Sequence, residues 1–159
     1  MKGDLARMMA THAAPGALDW IGLRAARLAA VEAVAEAEVT DAGLLGDHAP
    51  AGKRAVTLIQ QEHLPVIAAL AGLDQVRPDQ LRRNLVVSGI NLYALRKATL
   101  QIGTATLQIE GPCPPCSRME ATLGPGGYNA MRGHGGWYAS VVWPGRVRRG
   151  DPVTVVTAP

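Results

Sequence analysis

Ala98-Thr99-Leu100-Gln101-Ile102-Gly103-Thr104-Ala105-Thr106-Leu107-Gln108-Ile109-Glu110 alternates apolar and polar side chains on both sides of a Gly-Thr pair. Leu100 and Ile102 alternate with Thr99 and Gln101, and Leu107 and Ile109 alternate with Thr106 and Gln108. Successive side chains of a strand point to opposite faces, so this period of two predicts a pair of half-buried strands joined by a tight turn. The hairpin sets the expectation of a mainly β fold.

Reading outward, Leu18–Leu23, Ala55–Gln60, Trp137–Trp143 and Val153–Thr157 have the apolar, β-branched content of further strands. Pro144-Gly145 and Gly150-Asp151 are turn signals between the last of them. Gln61–Leu70 reads as a helix, with Pro65 tolerated only in its first turn and Gly72 at the C-terminal cap. Pro78 opens a second, shorter helix ending near Arg83. The segment Arg24–Val39 is ambiguous: its Ala and Glu favour a helix, while Val31, Val34 and Val39 decide nothing. No internal repeat or linker divides the chain. These elements predict a curved or closed barrel with two or three short helices at its edges, preceded by a loose arm over residues 1–16.

The bulk numbers agree with that plan. The 159 residues suffice for one domain with a real core, and 48% of them are apolar against 18% charged. Phenylalanine is absent, which leaves Leu, Val, Ile and Ala to fill the interior; the 18 glycines and 11 prolines cluster between short apolar runs. A net charge of +3, scattered basic pairs and only 4% aromatic residues argue against nucleic acid and for a small anionic ligand. No apolar run reaches the roughly 18 residues that a membrane helix needs. The N-terminus lacks the apolar core of a signal peptide, and two cysteines two apart make no disulfide framework, so the expected compartment is the cytoplasm.

The chemistry concentrates in Gly111-Pro112-Cys113-Pro114-Pro115-Cys116-Ser117-Arg118-Met119-Glu120. The prolines fix φ and remove backbone donors, so the approach to Cys116 is rigid and cannot join a sheet ladder. Arg118, two residues on, favours a thiolate, which suits a soft metal ligand or a sulfur acceptor. The same cysteines also read as buried small hydrophobes at a strand end. A zinc site would need two more ligands, with only His48 and His134 in suitable loops, and a thioredoxin-like pair would need a βαβ pattern that is missing. Next comes the glycine-rich stretch 124–136, where Asn129, Arg132 and His134 stand among residues that let backbone approach a ligand and form anion-binding nests.

The order of strand, Gly-Pro-Cys-Pro-Pro-Cys-Ser-Arg-Met-Glu, glycine-rich loop, His-Gly-Gly-Trp, strand and Gly-Asp resembles the C-terminal half of bacterial stand-alone MOSC proteins. Gly43-Leu44-Leu45-Gly46-Asp47 resembles that family's early Gly-Leu-x-Gly-Asp loop. The stretch from Leu81 through Asn84 to Gly89-Ile90 resembles its middle motif. Three motifs in the same order outweigh any one of them. The resemblance implies a barrel-like MOSC domain over residues 17–159, in which part of 24–39 is strand. It further implies a molybdenum cofactor of the molybdopterin type, with Cys116 the best-placed metal ligand and Cys113 a second candidate. Lys53, Arg54, Arg82, Arg83 and Asn84 each stand just before a strand; if both strand starts lie at one end of the barrel they would bind the phosphate of the pterin, and otherwise they read as ordinary solvated surface. Arg118, Asn129 and Arg132 would add cofactor contacts. Asp47 and His48 read either as pocket residues or as turn residues. The implied activity is reduction of N-hydroxylated substrates with an electron-transfer protein as partner, Cys116 and His134 being the catalytic residues. The other implied role is that of a non-catalytic carrier of the cofactor or of a cysteine persulfide. From the length of 159 residues, the extra N-terminal β domain of the amidoxime-reducing branch is not expected here.

Overall fold

The structure, a computed structural model, describes residues 2–158. In chain order it contains α1 (Lys2–Met9), β1 (Gly16–Arg24), β2 (Val31–Val34), β3 (Glu36–Thr40), β4 (Gly43–Leu44) and β5 (Val56–Gln60). There follow α2 (His63–Ala71), α3 (Pro78–Leu81), β6 (Leu85–Ser88), β7 (Thr99–Ile102), β8 (Ala105–Pro112), α4 (Ser117–Leu123) and α5 (Gly127–Met131). The chain closes with β9 (Trp137–Trp143), β10 (Gly145–Arg148) and β11 (Pro152–Thr157).

The predicted hairpin is β7 and β8, paired from Thr99↔Gln108 to Ile102↔Ala105 around Gly103 in a left-handed conformation. The hydrogen-bonded order β11-β7-β8-β9-β5-β6-β1 closes on itself where Gly16 and Ala17 of β1 meet Val153 and Pro152 of β11, making a seven-stranded barrel. Closure removes the open sheet edges that would otherwise invite aggregation. β2 extends the sheet along the far half of β1, and β10, β3 and β4 form a small second sheet.

The ambiguous segment 24–39 is therefore strand. Glu36, Ala37, Glu38 and Val39 alternate exposed and buried, and they pair with β10 from Glu36↔Arg148 to Val39↔Gly145. Helix propensity separates ordinary residues by well under ~1 kcal/mol each, and cross-strand pairing over a buried face outweighs it.

β5 and β6 are the parallel pair of the barrel, and the crossover between them carries α2 and α3. Both faces of these two strands are covered. Leu58, Leu85 and Val87 point into the barrel core with Leu18, Leu100 and Leu107. Ile59 and Val86 face the other way, into a second cluster made by Ile67 of α2, Leu81 of α3, Met119 of α4 and Met131 of α5. Near-continuous apolar runs are what strands buried on both faces require.

Five α-helices are present among the described residues rather than two or three. One is α1, inside the segment expected to be a loose arm. The others not expected, α4 and α5, lie within the stretch 111–136 that composition read as open loop. Met119 and Leu123 of α4, four apart, and Gly127, Ala130 and Met131 of α5, three and four apart, are buried, and this helical spacing decides the local structure against the glycines around it. Glu120 holds the turn between the two helices by accepting from the backbone N–H groups of Gly126 and Tyr128 at 3.2 and 3.0 Å. No helix among the described residues is long and apolar enough to cross a membrane.

Candidate functional site

β8 runs out of the barrel into a strap, Cys113-Pro114-Pro115-Cys116, that leads directly into α4. The strap is pinned at its start, where the N–H of Cys113 donates to the carbonyl of Gly136 at 2.9 Å. That approach demands glycine. Gly136 has φ +89°, and a Cβ there would sit 2.1 Å from the carbonyl oxygen of Leu58. At the far end Cys116 is exposed, while Cys113 is half-buried. Burial pushes the Cys113 thiol up, against the pull of Arg83, Arg54 and Arg24.

Cys116 opens onto a cavity of about 560 Å³ whose wall carries six arginines: Arg24, Arg27, Arg54, Arg82, Arg83 and Arg118. Most of these side chains are held in place by the protein. Arg24 grips Asp47 with two parallel bonds, Nε to Oδ1 at 3.1 Å and Nη2 to Oδ2 at 2.9 Å. Burial would raise the Asp47 carboxyl, and the hydrogen bonds and charge of Arg24 outweigh it and hold it below the usual value. Arg82 donates to the carbonyls of Ala26, Arg27 and Ala29, and Arg118 donates to that of Arg27 at 3.0 Å, so these two arginines tie down the segment 25–30. Arg83 donates to Gly135 at 2.7 Å and Leu81 at 3.0 Å, and Arg54 lies 4.5 Å over the ring of Tyr138. The Arg82 guanidinium is drawn below its ordinary value by burial first and then by the positive charge of Arg118 and Arg24. The Asp47 carboxylate beside this group is already committed to Arg24. Such a basin suits a phosphorylated or otherwise polyanionic ligand.

His48 lines the same basin. Its backbone N–H and its ring Nδ1 both bond to the carbonyl of Arg24, at 2.8 and 3.0 Å. A carbonyl only accepts, so Nδ1 carries the hydrogen and Nε2 is the ring nitrogen not engaged by that carbonyl. Among the described residues no group of three or more His, Cys, Asp or Glu side chains is arranged to hold a metal. His48 and His134, the two histidines weighed as zinc partners, lie in different cavities.

The sequence-based site is thus divided. Cys116, Arg54, Arg82, Arg83 and Arg118 come together. Lys53 is exposed and lies outside this cavity's wall, and Asn129 and Arg132 are exposed on and just after α5, 3.5 Å from each other through Oδ1 and Nη1. Asn84 is fully buried. Its Oδ1 accepts from Thr57 N–H and Oγ1 at 3.0 and 3.2 Å, and its Nδ2 donates to Gly22 and Asp47 at 3.0 and 3.1 Å. With its amide occupied on both sides, Asn84 is a bracket between β1, β5 and β6 and leaves no polar atom for a cofactor. His134 lines a second cavity with Cys113, on the other side of the Arg83–Gly135 contact. Its Nδ1 is buried without a hydrogen-bond partner among the described residues, and its backbone N–H donates to Met131. The sequence reading missed Arg24 and Arg27. The available signal was the Gly46-Asp47 pair, since an acidic residue that becomes buried needs a cation, and Arg24 ends the preceding long strand.

The model of the MOSC domain matches residues 36–154, three quarters of the chain. This chain belongs to the MOSC family. Solved structures share the architecture of this MOSC domain. The YuaD protein from Bacillus subtilis superposes with a TM-score of 0.78 at 20% identity, covering 88% of this chain and 94% of that one. YiiM from Escherichia coli gives 0.74 at 23% identity over 92% of this chain and 71% of that one, and YiiM from Geobacillus stearothermophilus gives 0.72 at 19% over 89% and 75%. At these identities the likeness is one of fold. Among curated proteins no sequence matches significantly.

Proposed function

We propose that this MOSC protein binds a molybdenum cofactor of the molybdopterin type, with Cys116 as the protein's ligand to the metal and the arginine basin as the seat of the pterin phosphate. The observation that carries the reading is the coincidence of the one exposed thiol with six arginines in a single cavity. The donor set fits the group: one exposed thiol is available, with no cluster of three metal-ligating side chains among the described residues. Such a metal would have to take its remaining donors from a cofactor. A phosphate and a dithiolene sulfur pair bring the negative charge that the basin is built to neutralise.

When bound, the group supplies two-electron transfer to an N-hydroxylated substrate, drawing electrons from a partner redox protein. The protein's own part is to bind and orient. Arg82, Arg83 and Arg118 fix the anionic end, and the proline strap holds Cys116 at a constant distance from them. His48 Nε2, in place of His134, receives and returns the proton within the basin. A second reading, that the protein carries the cofactor or a persulfide without substrate chemistry, is favoured by the exposure of Cys116, which lets a partner protein reach the sulfur.

The test is elemental. In protein made in a cofactor-competent host, Cys116→Ser is expected to lose molybdenum and pterin while Cys113→Ser keeps both. Equal loss in both variants, or no molybdenum in the wild type, overturns the assignment. Loaded wild-type protein that receives electrons yet reduces no amidoxime or N-hydroxylated base would replace the reductase reading with the carrier one.

A further inference from the structure

The cavity on the Cys113 side of the strap differs in kind from the arginine basin. It is more enclosed, has a volume of about 230 Å³, and counts four aromatic rings among its walls: Tyr93, Trp137, His63 and His134. Tyr93 and Trp137 meet edge to face with centroids 6.1 Å apart, and His63 and His134 do the same at 5.2 Å. Two separate pairs of edge-to-face rings thus line one cavity, and a flat π-system can extend either pair by stacking or by a further edge-to-face contact.

The polar inventory is short. Gln60 reaches the wall, and its amide is already used: Nε2 donates to Glu62 and Ile90 at 2.9 Å each, and Oε1 accepts from the N–H of Leu92 at 2.9 Å. The N–H of Cys113 is taken by Gly136. What is left to meet a ligand's donor or acceptor is the imidazole pair, in which the Nδ1 of His134 is buried without a hydrogen-bond partner among the described residues and the His63 ring stands edge to face beside it. Arg96 also lines the cavity, with its guanidinium stacked 4.2 Å over Tyr93. The interior resists charge. Burial holds the Cys113 thiol in its neutral form and pushes the His63 imidazole toward its neutral form, the latter helped by His134 against the opposing pull of Glu62. A charged ligand would meet the same desolvation cost.

We propose that the cavity between Cys113 and His134 is a second ligand site, separate from the arginine basin, that takes a flat, uncharged aromatic or heteroaromatic ring. A dry cavity of roughly 150 Å³ holds benzene, so about 230 Å³ admits a fused bicycle or a substituted single ring. The ring lies against Trp137 and Tyr93, with one polar edge toward the two imidazoles. The proposal goes beyond the molybdenum reading and does not depend on it, because no residue lines both this cavity and the one at Cys116.

The test uses the full chain carrying Cys116→Ser, so that Cys113 is the sole thiol and no cofactor ligand is at issue. Alkylation of Cys113 by iodoacetamide is followed against increasing benzimidazole, with cyclohexylmethanol as the uncharged aliphatic control, benzoate as the charged aromatic control and pyrophosphate as the probe of the basin. Benzimidazole is expected to slow alkylation with a saturable midpoint that pyrophosphate leaves unchanged. Tyr93→Ala, at an exposed position that folding tolerates, should raise that midpoint about tenfold, the worth of one lost ring contact and its buried area. His134→Leu, which keeps the bulk and removes the polar edge, should raise it as well. Absence of protection overturns the proposal. So does protection by cyclohexylmethanol or benzoate equal to that by benzimidazole, a midpoint indifferent to both substitutions, or competition by pyrophosphate. Loss of molybdenum binding in the wild type would leave this result untouched, so the two readings fail separately.

Discussion

Replacing Asn84 by Ala tests whether this residue braces the barrel or touches a ligand. The side chain is fully buried and sits where β1, β5 and β6 converge. Its removal leaves the Thr57 amide without the acceptor it has at 3.0 Å, and takes a donor from both Gly22 and Asp47. A buried polar group left unpaired costs about 1–3 kcal/mol, so three partly orphaned groups give a loss of roughly 4 kcal/mol. For a chain of this size each kcal/mol moves Tm by about 2–4 °C, and the expected fall is about 10 °C. Asn84→Asp should be no better, because it turns an oxygen toward Asp47 in place of an N–H 3.1 Å away. The assay is thermal unfolding of cofactor-free protein followed by circular dichroism, which isolates the bracing role from any ligand. A cofactor-free Tm within about 2 °C of wild type, combined with lost cofactor retention, would refute the argument and return Asn84 to the ligand.

Two other outcomes follow from the same corner of the molecule. The Asp47 side chain is 1% exposed and its carboxyl is held below the ordinary 3.8 by Arg24, so the folded state binds its proton less readily than the unfolded chain. That stabilisation is present above pH 3.8 and is lost as the pH falls through the folded-state value. Asp47→Asn should therefore be less stable than wild type at pH 7 and converge on it in denaturant titrations below pH 3.8, whereas a gap independent of pH would contradict the ion pair. Arg82→Ala should free the carbonyls of Ala26, Arg27 and Ala29 and quicken tryptic cleavage after the exposed Arg27 several-fold, as read by mass spectrometry. An unchanged cleavage rate would mean that Arg118 alone holds the segment.

The elements legible in the sequence are those whose reasons are local. The Ala98–Glu110 hairpin announces itself by alternation, α2 by Gly72 at its C-terminus in a left-handed conformation, and α3 by Pro78 at its first position. The strap around Cys116 and the cluster of Arg82 and Arg83 were visible as motifs in order. What only the tertiary structure decided concerns partners far apart in the chain. The strand character of 31–40 depends on β1 and β10, and β10 lies more than 100 residues downstream of β3. Helices α4 and α5 hold because Met119 and Met131 have the outer face of β5 and β6 to pack against. The two cysteines, two residues apart, sit in different electrostatic surroundings because the strap between them passes from the wall of one cavity to the wall of another. Asn84 looked like a ligand-binding amide for the reason that makes it a good bracket, since it both donates and accepts. Which groups it meets was set by the convergence of three strands, and a linear sequence carries no record of that geometry.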